Sequence, residues 1–295
     1  MPEPTLRIGV IGAGRVGAVI GAAFRASGHE IVGVSAVSEA SRERAARLLP
    51  GVPVLQVPDV VAVADVVLLA VPDDEIASLV TGLAATRAWA GGRLAIHFSG
   101  FHGVDVLAPV VAAGGDAVAL HPVMTFSGTA KDLPRLVGTP MAVTASMGAD
   151  LVSEALVLDL GGEPFRLAEE QRSTYHAALS HGANHVTTLV AQAQQMLRAA
   201  GLDNPAVILR PLIEAAIDNA LEHGDRALTG PIIRGDVGTV SAHLDAVSRQ
   251  PEDIAMAYRA IATATALRAI SRRAMPAESV TPMLEILQPK DDEDR

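Results

Sequence analysis

The sequence predicts an α/β domain on a doubly wound parallel sheet, followed by an all-α domain. Three observations carry that expectation. Between Leu6 and Gly28 a buried-strand pattern, a glycine triplet and an Ala-rich helix follow one another directly. Strand and helix patterns then alternate to about residue 165, as βαβ units do. From Glu169 to Ser271 the pattern is helical, with few β-branched clusters and breaks at Gly201, Gly224 and Gly230-Pro231.

Ile8, Val10 and Ile11 form an apolar run of the kind found in a strand covered on both faces. Gly12, Gly14 and Gly17 come next at G-x-G-x-x-G spacing, with Arg15 and Val16 inside the motif. The first glycine permits a tight turn, the second lets backbone approach a pyrophosphate, and the third lets helix pack closely on sheet. The helix N-terminus then offers free N–H groups and the positive dipole end to phosphates. This is the fingerprint of a Rossmann dinucleotide site; a strand-to-helix turn without ligand is the alternative. Gly28 is placed to stop the helix.

Glu30 to Val37 reads as the second strand, and its end bears on cofactor type. A carboxylate there would accept from a ribose 2′-hydroxyl, whereas hydroxyl and guanidinium groups suit a 2′-phosphate. The strand ends at Val37-Ser38, with Ser41, Arg42 and Arg44 just beyond, which favours NADP(H) through Ser38 and Arg42. Glu39 after a small register shift, or Arg42 and Arg44 on a solvated helix face, would be the other readings.

Val54–Val57 is expected as a short third strand, followed by a helical segment from Asp59. Asp65–Val71 is a buried strand whose end places Val71 and Pro72 on the nicotinamide side of the crevice. A helix is expected from Glu75 to Ala88. Further strands are expected at Arg93–Phe98, Ala117–Leu120 and Met141–Ala145, then a helix at Leu151–Leu160 and an extended piece at Pro164–Leu167. Two of these strands run into His97-Phe98-Ser99-Gly100 and His121-Pro122, placing histidine and serine over the crevice, unless the histidines are simply satisfied by loop backbone. The domains are therefore read as 1–165, 166–290 and a disordered acidic tail at 291–295.

The bulk numbers narrow the function. The 295 residues are 49% hydrophobic and 19% charged, which suits a globular chain with large cores. No apolar run is long enough to span a membrane, since Asp65 interrupts Val60–Val71. No basic segment leads into a short apolar one at the N-terminus, so the cytoplasm is expected. Cysteine is absent, which removes disulfides, thiol nucleophiles and cysteine-held metals. A formal charge of −10 disfavours a nucleic-acid partner.

Gln171 to Ala200 reads as one long helix with His176, Ser180, Asn184 and Thr188 in a stripe four residues apart. Short hydrogen-bonding groups suit a cleft wall, and a solvent face is the alternative. His181 and His185 have the spacing of two metal ligands, yet no third ligand lies nearby, so no metal is expected. Further on, Thr229, Gly230-Pro231, Arg234 and Asp236 precede His243. Arg234 could fork onto a substrate carboxylate, or pair with Asp236 to hold the turn. A reductase needs a proton donor, and no lysine lies in the helical half before Lys290. His176 is the leading candidate, His121 the second, with Asn184 and Ser180 orienting the reacting group.

These motifs resemble a known family. The first half is similar to the Rossmann domain of the 6-phosphogluconate dehydrogenase-like superfamily. More specifically, the chain resembles bacterial proteins that join a Rossmann-like domain to a domain of unknown function, DUF2520. His97-Phe98-Ser99-Gly100, His121-Pro122 with Thr125-Phe126-Ser127, Tyr175-His176 with Asn184, and Thr229-Gly230-Pro231 with Arg234-Gly235-Asp236 and His243 carry the likeness over nearly the whole chain. The resemblance implies an NADPH-dependent oxidoreductase acting on a small carboxylate-bearing carbonyl compound, with ketopantoate as the named substrate. Ser99, Thr229 and Arg234 would hold that substrate. An imine reductase of the pyrroline-5-carboxylate kind, or an NADP(H)-binding sensor without chemistry, are the alternatives. The lack of a helical lysine departs from ordinary ketopantoate reductases. The resemblance also implies a homodimer formed through the helical domain.

Overall fold

The computed structural model describes residues 5–288. The chain divides into two compact units, Met1–Leu179 and Ser180–Arg295.

The first unit is a sheet sandwiched between helices. Its strands are β1 (Arg7–Ile11), β2 (Glu30–Ser35), β3 (Val66–Leu69), β4 (Leu94–His97), β5 (Asp116–Pro122), β6 (Pro140–Ala145) and β7 (Glu163–Arg166). They lie in the order β2-β1-β3-β4-β5-β6-β7. The first five are parallel, β6 runs antiparallel to β5, and β7 parallel to β6. The helices are α1 (Arg15–Ala26), α2 (Glu39–Leu48), α3 (Val57–Val63), α4 (Asp73–Ala85), α5 (Ala108–Ala112), α6 (Leu133–Leu136), α7 (Asp150–Asp159) and α8 (Arg172–Leu179).

Alternate residues of the central strands feed two cores, as the pleat requires. Ile8, Val10, Leu68, Ile96 and Val118 pack with α1 and α7 on one face. Ile11, Val67, Leu69, Ala95 and Ala117 pack with α3, α4 and Trp89 on the other. Both faces are dry, which is why these strands read as unbroken apolar runs.

The expected third strand is a correction. Val54 makes only an isolated bridge to Val34, and Val57 already opens α3, with Pro58 in the first turn. Proline fixes a helix-compatible φ and lacks an N–H that a first turn leaves unpaired anyway, so the β-branched residues after it still coil. The extended piece at 164–167 is in contrast a full edge strand, β7. The segment from 166 to 179, grouped by composition with the helical half, lies in the first unit.

The second unit is helical: α9 (His185–Ala199), α10 (Pro205–His223), α11 (Pro231–Arg234), α12 (Val237–Val247), α13 (Glu252–Ser271) and α14 (Ala277–Leu287). Its core gathers Val240, Ala262, Ala266, Ala269, Met275, Met283 and Leu287. The single long helix expected over 171–200 is interrupted. A π turn, Ser180–Asn184, separates α8 from α9. Such turns insert a residue into the helical ladder and recur at functional sites. The tail at 291–295 lies outside the described residues.

Candidate active site

The glycine turn divides its labour as the motif predicts. Gly12 has φ +93°, and a Cβ there would strike the Ala70 carbonyl oxygen. A Cβ on Gly17 would strike the Gly12 carbonyl oxygen and lie 2.7 Å from the Ala70 Cβ. Those two glycines serve the fold. Gly14 differs, because a Cβ there would meet nothing closer than the Ala70 oxygen at 3.8 Å. Its open face is the one a bound diphosphate needs. No side chain caps α1 at Gly14, so the first-turn N–H groups are left for a ligand. The turn is held from outside: Ser35 accepts from the N–H of Gly12 and Ala13, and Arg44 Nη1 donates to the Ala13 carbonyl at 3.0 Å.

Beyond β2 the chain runs through Ala36, Val37 and Ser38, with no carboxylate before Glu39. Ser38 caps α2 by accepting from the Ser41 N–H, Arg42 is exposed, and the exposed Glu39 opens the helix. The two arginines weighed from sequence part company. Arg44 is tied to the glycine turn, with a buried Nε lacking a partner, while Arg42 stays exposed. Val71 is half-buried and Pro72, exposed, precedes α4.

A cavity of about 270 Å³ opens at the carboxyl ends of the strands, lined by Arg15, Val16, Phe98, His121, Pro122, Met124 and Phe126. This is where open parallel sheets bind ligands. His121 is the one imidazole in that lining. Its Nδ1 lies 2.8 Å from the Tyr175 hydroxyl of α8, and its ring stands 6.4 Å from that of half-buried His176. Gly100 makes the approach possible, since a Cβ there would lie 2.8 Å from His176 Cδ2 and 3.0 Å from His121 Nε2.

Beneath these rings lies Arg172, 1% exposed. It donates to Thr144 Oγ1 (2.9 Å) and to the carbonyls of Ser99 (3.0 Å) and Ala119 (2.7 Å), with a longer contact to that of Ala142 (3.4 Å). None of these acceptors is a carboxylate. Burial, with Arg172 next, lowers His121 to about 4 from its usual 6.5. Burial likewise lowers His97 to about 4 and raises the Tyr175 phenol to about 12. Burial thus favours the neutral ring of His121 over the charged one. As a neutral ring it still donates one N–H.

Other expected residues take quieter places. His97 donates Nε2–H to the Gly103 carbonyl at 2.8 Å and accepts the Ser99 N–H at Nδ1, so the backbone satisfies it. The Ser99 oxygen accepts from the N–H groups of Phe101 and His102 inside the turn, and is 5% exposed. Ser180 and Asn184 belong to the second unit, where Asn184 Nδ2 donates to Ser180 Oγ across the π turn. His181 and His185 face each other at 2.9 Å, and no group of three metal-ligating side chains occurs among the described residues. The Arg234 fork is taken by Asp236 at 2.8 Å, which is the turn-holding alternative. Thr229 is exposed before Gly230. The second unit has a cavity of about 700 Å³ between α13 and α14. Its single cation, Arg259, is spent on the Ile286 and Gln288 carbonyls.

A Rossmann-like domain model matches residues 1–122, and a model of a domain of unknown function, DUF2520, matches residues 139–265. Among solved structures the chain is similar to a provisionally assigned NADP oxidoreductase from Bacteroides fragilis, at 22% identity and TM-score 0.72 over 89% of this chain and 98% of that one. It is similar to an imine reductase from Myxococcus stipitatus in complex with NADP+, at 18% and 0.65 over 97% and 100%. It is also similar to a pyrroline-5-carboxylate reductase from Coxiella burnetii, at 16% and 0.55 over 97% and 100%. At such identities these likenesses establish the fold. No protein of curated function matches the sequence.

The open face of Gly14 makes its substitution diagnostic. Gly14→Val should fold with an unchanged thermal midpoint, yet lose at least about tenfold in NADPH affinity, or ~1.4 kcal/mol; fluorescence titration beside a melting curve checks both. The buried histidines make stability pH-dependent. Their folded pKa values, about 4, lie below the ordinary 6.5. Only the unfolded chain therefore binds their protons between those values. Stability should be full above pH 6.5 and fall toward pH 4, by up to ~1.4 kcal/mol per pH unit for each histidine. Urea unfolding at pH 7, 6 and 5 reads the slope, and His97→Gln should roughly halve it.

Proposed function

We propose that this protein, in which a Rossmann-like domain precedes a DUF2520 domain, is an NADP(H)-dependent oxidoreductase that reduces a small carboxylate-bearing carbonyl compound, ketopantoate being the named candidate. One observation carries the reading. The open, uncapped glycine turn and the cavity walled by His121 meet at the same strand ends, with Arg15 and Val16 common to both. Gly12, Gly14, Arg15, Val16 and Gly17 would hold the diphosphate, Ser38 and Arg42 the 2′-phosphate, and Val71 and Pro72 would flank the nicotinamide. When bound, the cofactor supplies the hydride. His121 and His176 then offer hydrogen-bond donors to the substrate atom that gains charge.

Reduction of a C=N bond is the second reading. It is favoured by similarity to an imine reductase and a pyrroline-5-carboxylate reductase, and by the missing lysine, since a protonated imine needs less help from a general acid than a ketone does. Arg234 as the carboxylate anchor would require it to leave Asp236. A homodimer is also part of the proposal. No residue of α9 is buried, and of α10 only Pro205. Val207, Leu212 and Leu221 of α10 are 73%, 68% and 83% exposed. Helices without a buried face gain their stability from a partner.

NADPH oxidation measured against 2-keto acids and cyclic imines tests the function, with turnover expected for one class. Arg42→Ala should then weaken NADPH at least about tenfold while leaving NADH nearly unchanged; an equal loss for both would reverse the cofactor preference. Leu212→Glu should convert a dimer to a monomer in light scattering, and a monomeric wild type would dispose of the dimer.

A further inference from the structure

The cation at the floor of the first unit is unexplained by the reductase reading. Burying a guanidinium without a counter-carboxylate is costly, and Arg172 spends its donors on neutral oxygens alone. Neither carboxylate whose field reaches this region forms an ion pair with it: Glu169 accepts the Val104 N–H at 2.7 Å and favours the charge only through its field, and Asp73 sits at the start of α4. The groups most affected are the rings above it. Tyr175 lies one helical turn on from Arg172 in α8, and its hydroxyl meets His121 Nδ1. His121 Nε2 makes no protein hydrogen bond among the described residues, and His121 lines the cavity. His176, the remaining titratable ring, stands beside it.

A cation near a phenol favours the tautomer in which the phenol gives its proton away, because charge then gathers on the oxygen nearest the cation. That places the hydroxyl hydrogen toward Nδ1 and the imidazole hydrogen on Nε2, the ring nitrogen on the Gly100 side that has no protein hydrogen-bond partner among the described residues. We infer that Tyr175 is the proton reservoir of the site, acting through His121, and that Arg172, one helical turn before it, is the positioning residue whose charge favours the resulting phenolate. The inference rests on the reductase reading. Once the substrate carbonyl oxygen carries the electron pair released by reduction, the Nε2–H bond breaks and a new O–H bond forms. Nδ1 takes the Tyr175 proton in the same passage. The sum is alkoxide plus phenol giving alcohol plus phenolate; after product leaves, Nε2 takes a proton from water while Nδ1 returns its own to the phenolate, which restores the starting tautomer. The imidazole is neutral at the start and at the end, so the low basicity that burial gives His121 does not obstruct the step.

The test needs both the unliganded protein and turnover. With histidine-ring ¹⁵N labelling, NMR of the full chain at pH 7 should show His121 neutral, protonated on Nε2 and accepting at Nδ1. Tyr175→Phe should lose the Nδ1 hydrogen bond. Protonation on Nδ1, or a charged ring, overturns the relay. In turnover, Tyr175→Phe should lower kcat about 100-fold with KM and NADPH affinity within about threefold, and a variant as fast as wild type overturns it as well. Arg172→Gln should let His121 titrate closer to 6.5, while Arg172→Lys should keep it low. If the Gln variant does not fold, the Tyr175 results decide. Wild type that turns over with Tyr175→Phe unimpaired defeats the relay alone, and wild type that oxidises NADPH with no substrate defeats the reductase reading and the relay with it.

Discussion

The interaction on which the site depends is the set of hydrogen bonds from Arg172 to backbone and hydroxyl oxygen. Its acceptors lie at the end of β4, in β5 and in β6, including both strands of the antiparallel junction, where Ala119 faces Thr144. One side chain of α8 thus fastens three strands at the edge over which His121 stands. Five N–H donors in a planar fork can do this where an ammonium could not. The same burial that makes the fastening firm makes the charge strongly felt, so structure and electrostatics come from a single residue. Burial is the main cause that lowers His97 and His121, and the Arg172 charge adds to it.

The glycine turn shows how fold and ligand requirements separate within five residues. Gly12 and Gly17 are dictated by protein atoms that a Cβ would strike, so they would be needed in a chain that bound nothing. Gly14 has ordinary backbone angles, with φ −70°, and open space beside it. No packing argument explains it. That contrast is stronger support for a cofactor than the motif itself, because spacing alone cannot distinguish a glycine required by its neighbours from one required by a guest.

The sequence was legible where one physical cause acts locally. Doubly buried strands show as apolar runs, and Gly28 stops α1 with φ +103°. Val54–Val57 misled because β-branched residues favour strands in general, whereas Pro58 and the pairing available at that edge decided the outcome. His97 and His121 look alike in the sequence, each at a strand end, the one before Phe98-Ser99 and the other before Pro122. Only the fold tells the one satisfied by Gly103 and Ser99 backbone from the one facing a cavity. Arg172 was missed because a buried arginine has no local sequence signature. The available clue was its i, i+3, i+4 relation to Tyr175 and His176, which puts all three on one helix face.

The helical half poses the opposite problem. Its motif residues pair among themselves: Arg234 with Asp236, His243 with Tyr258 at 2.8 Å, Asn184 with Ser180. Short polar pairs of this kind stabilise turns and helix faces, and each would have to exchange its partner for a substrate group. Such an exchange is favourable only where water is excluded, since an exposed ion pair is worth at most about 1 kcal/mol and the competing carboxylate gains little more. Arg234 is 63% exposed in its side chain. If it anchors a substrate carboxylate, something must therefore cover it. The unburied helices α9 and α10 raise the same question. The proposed homodimer would answer it, and assembly and substrate recognition would then meet one need for burial.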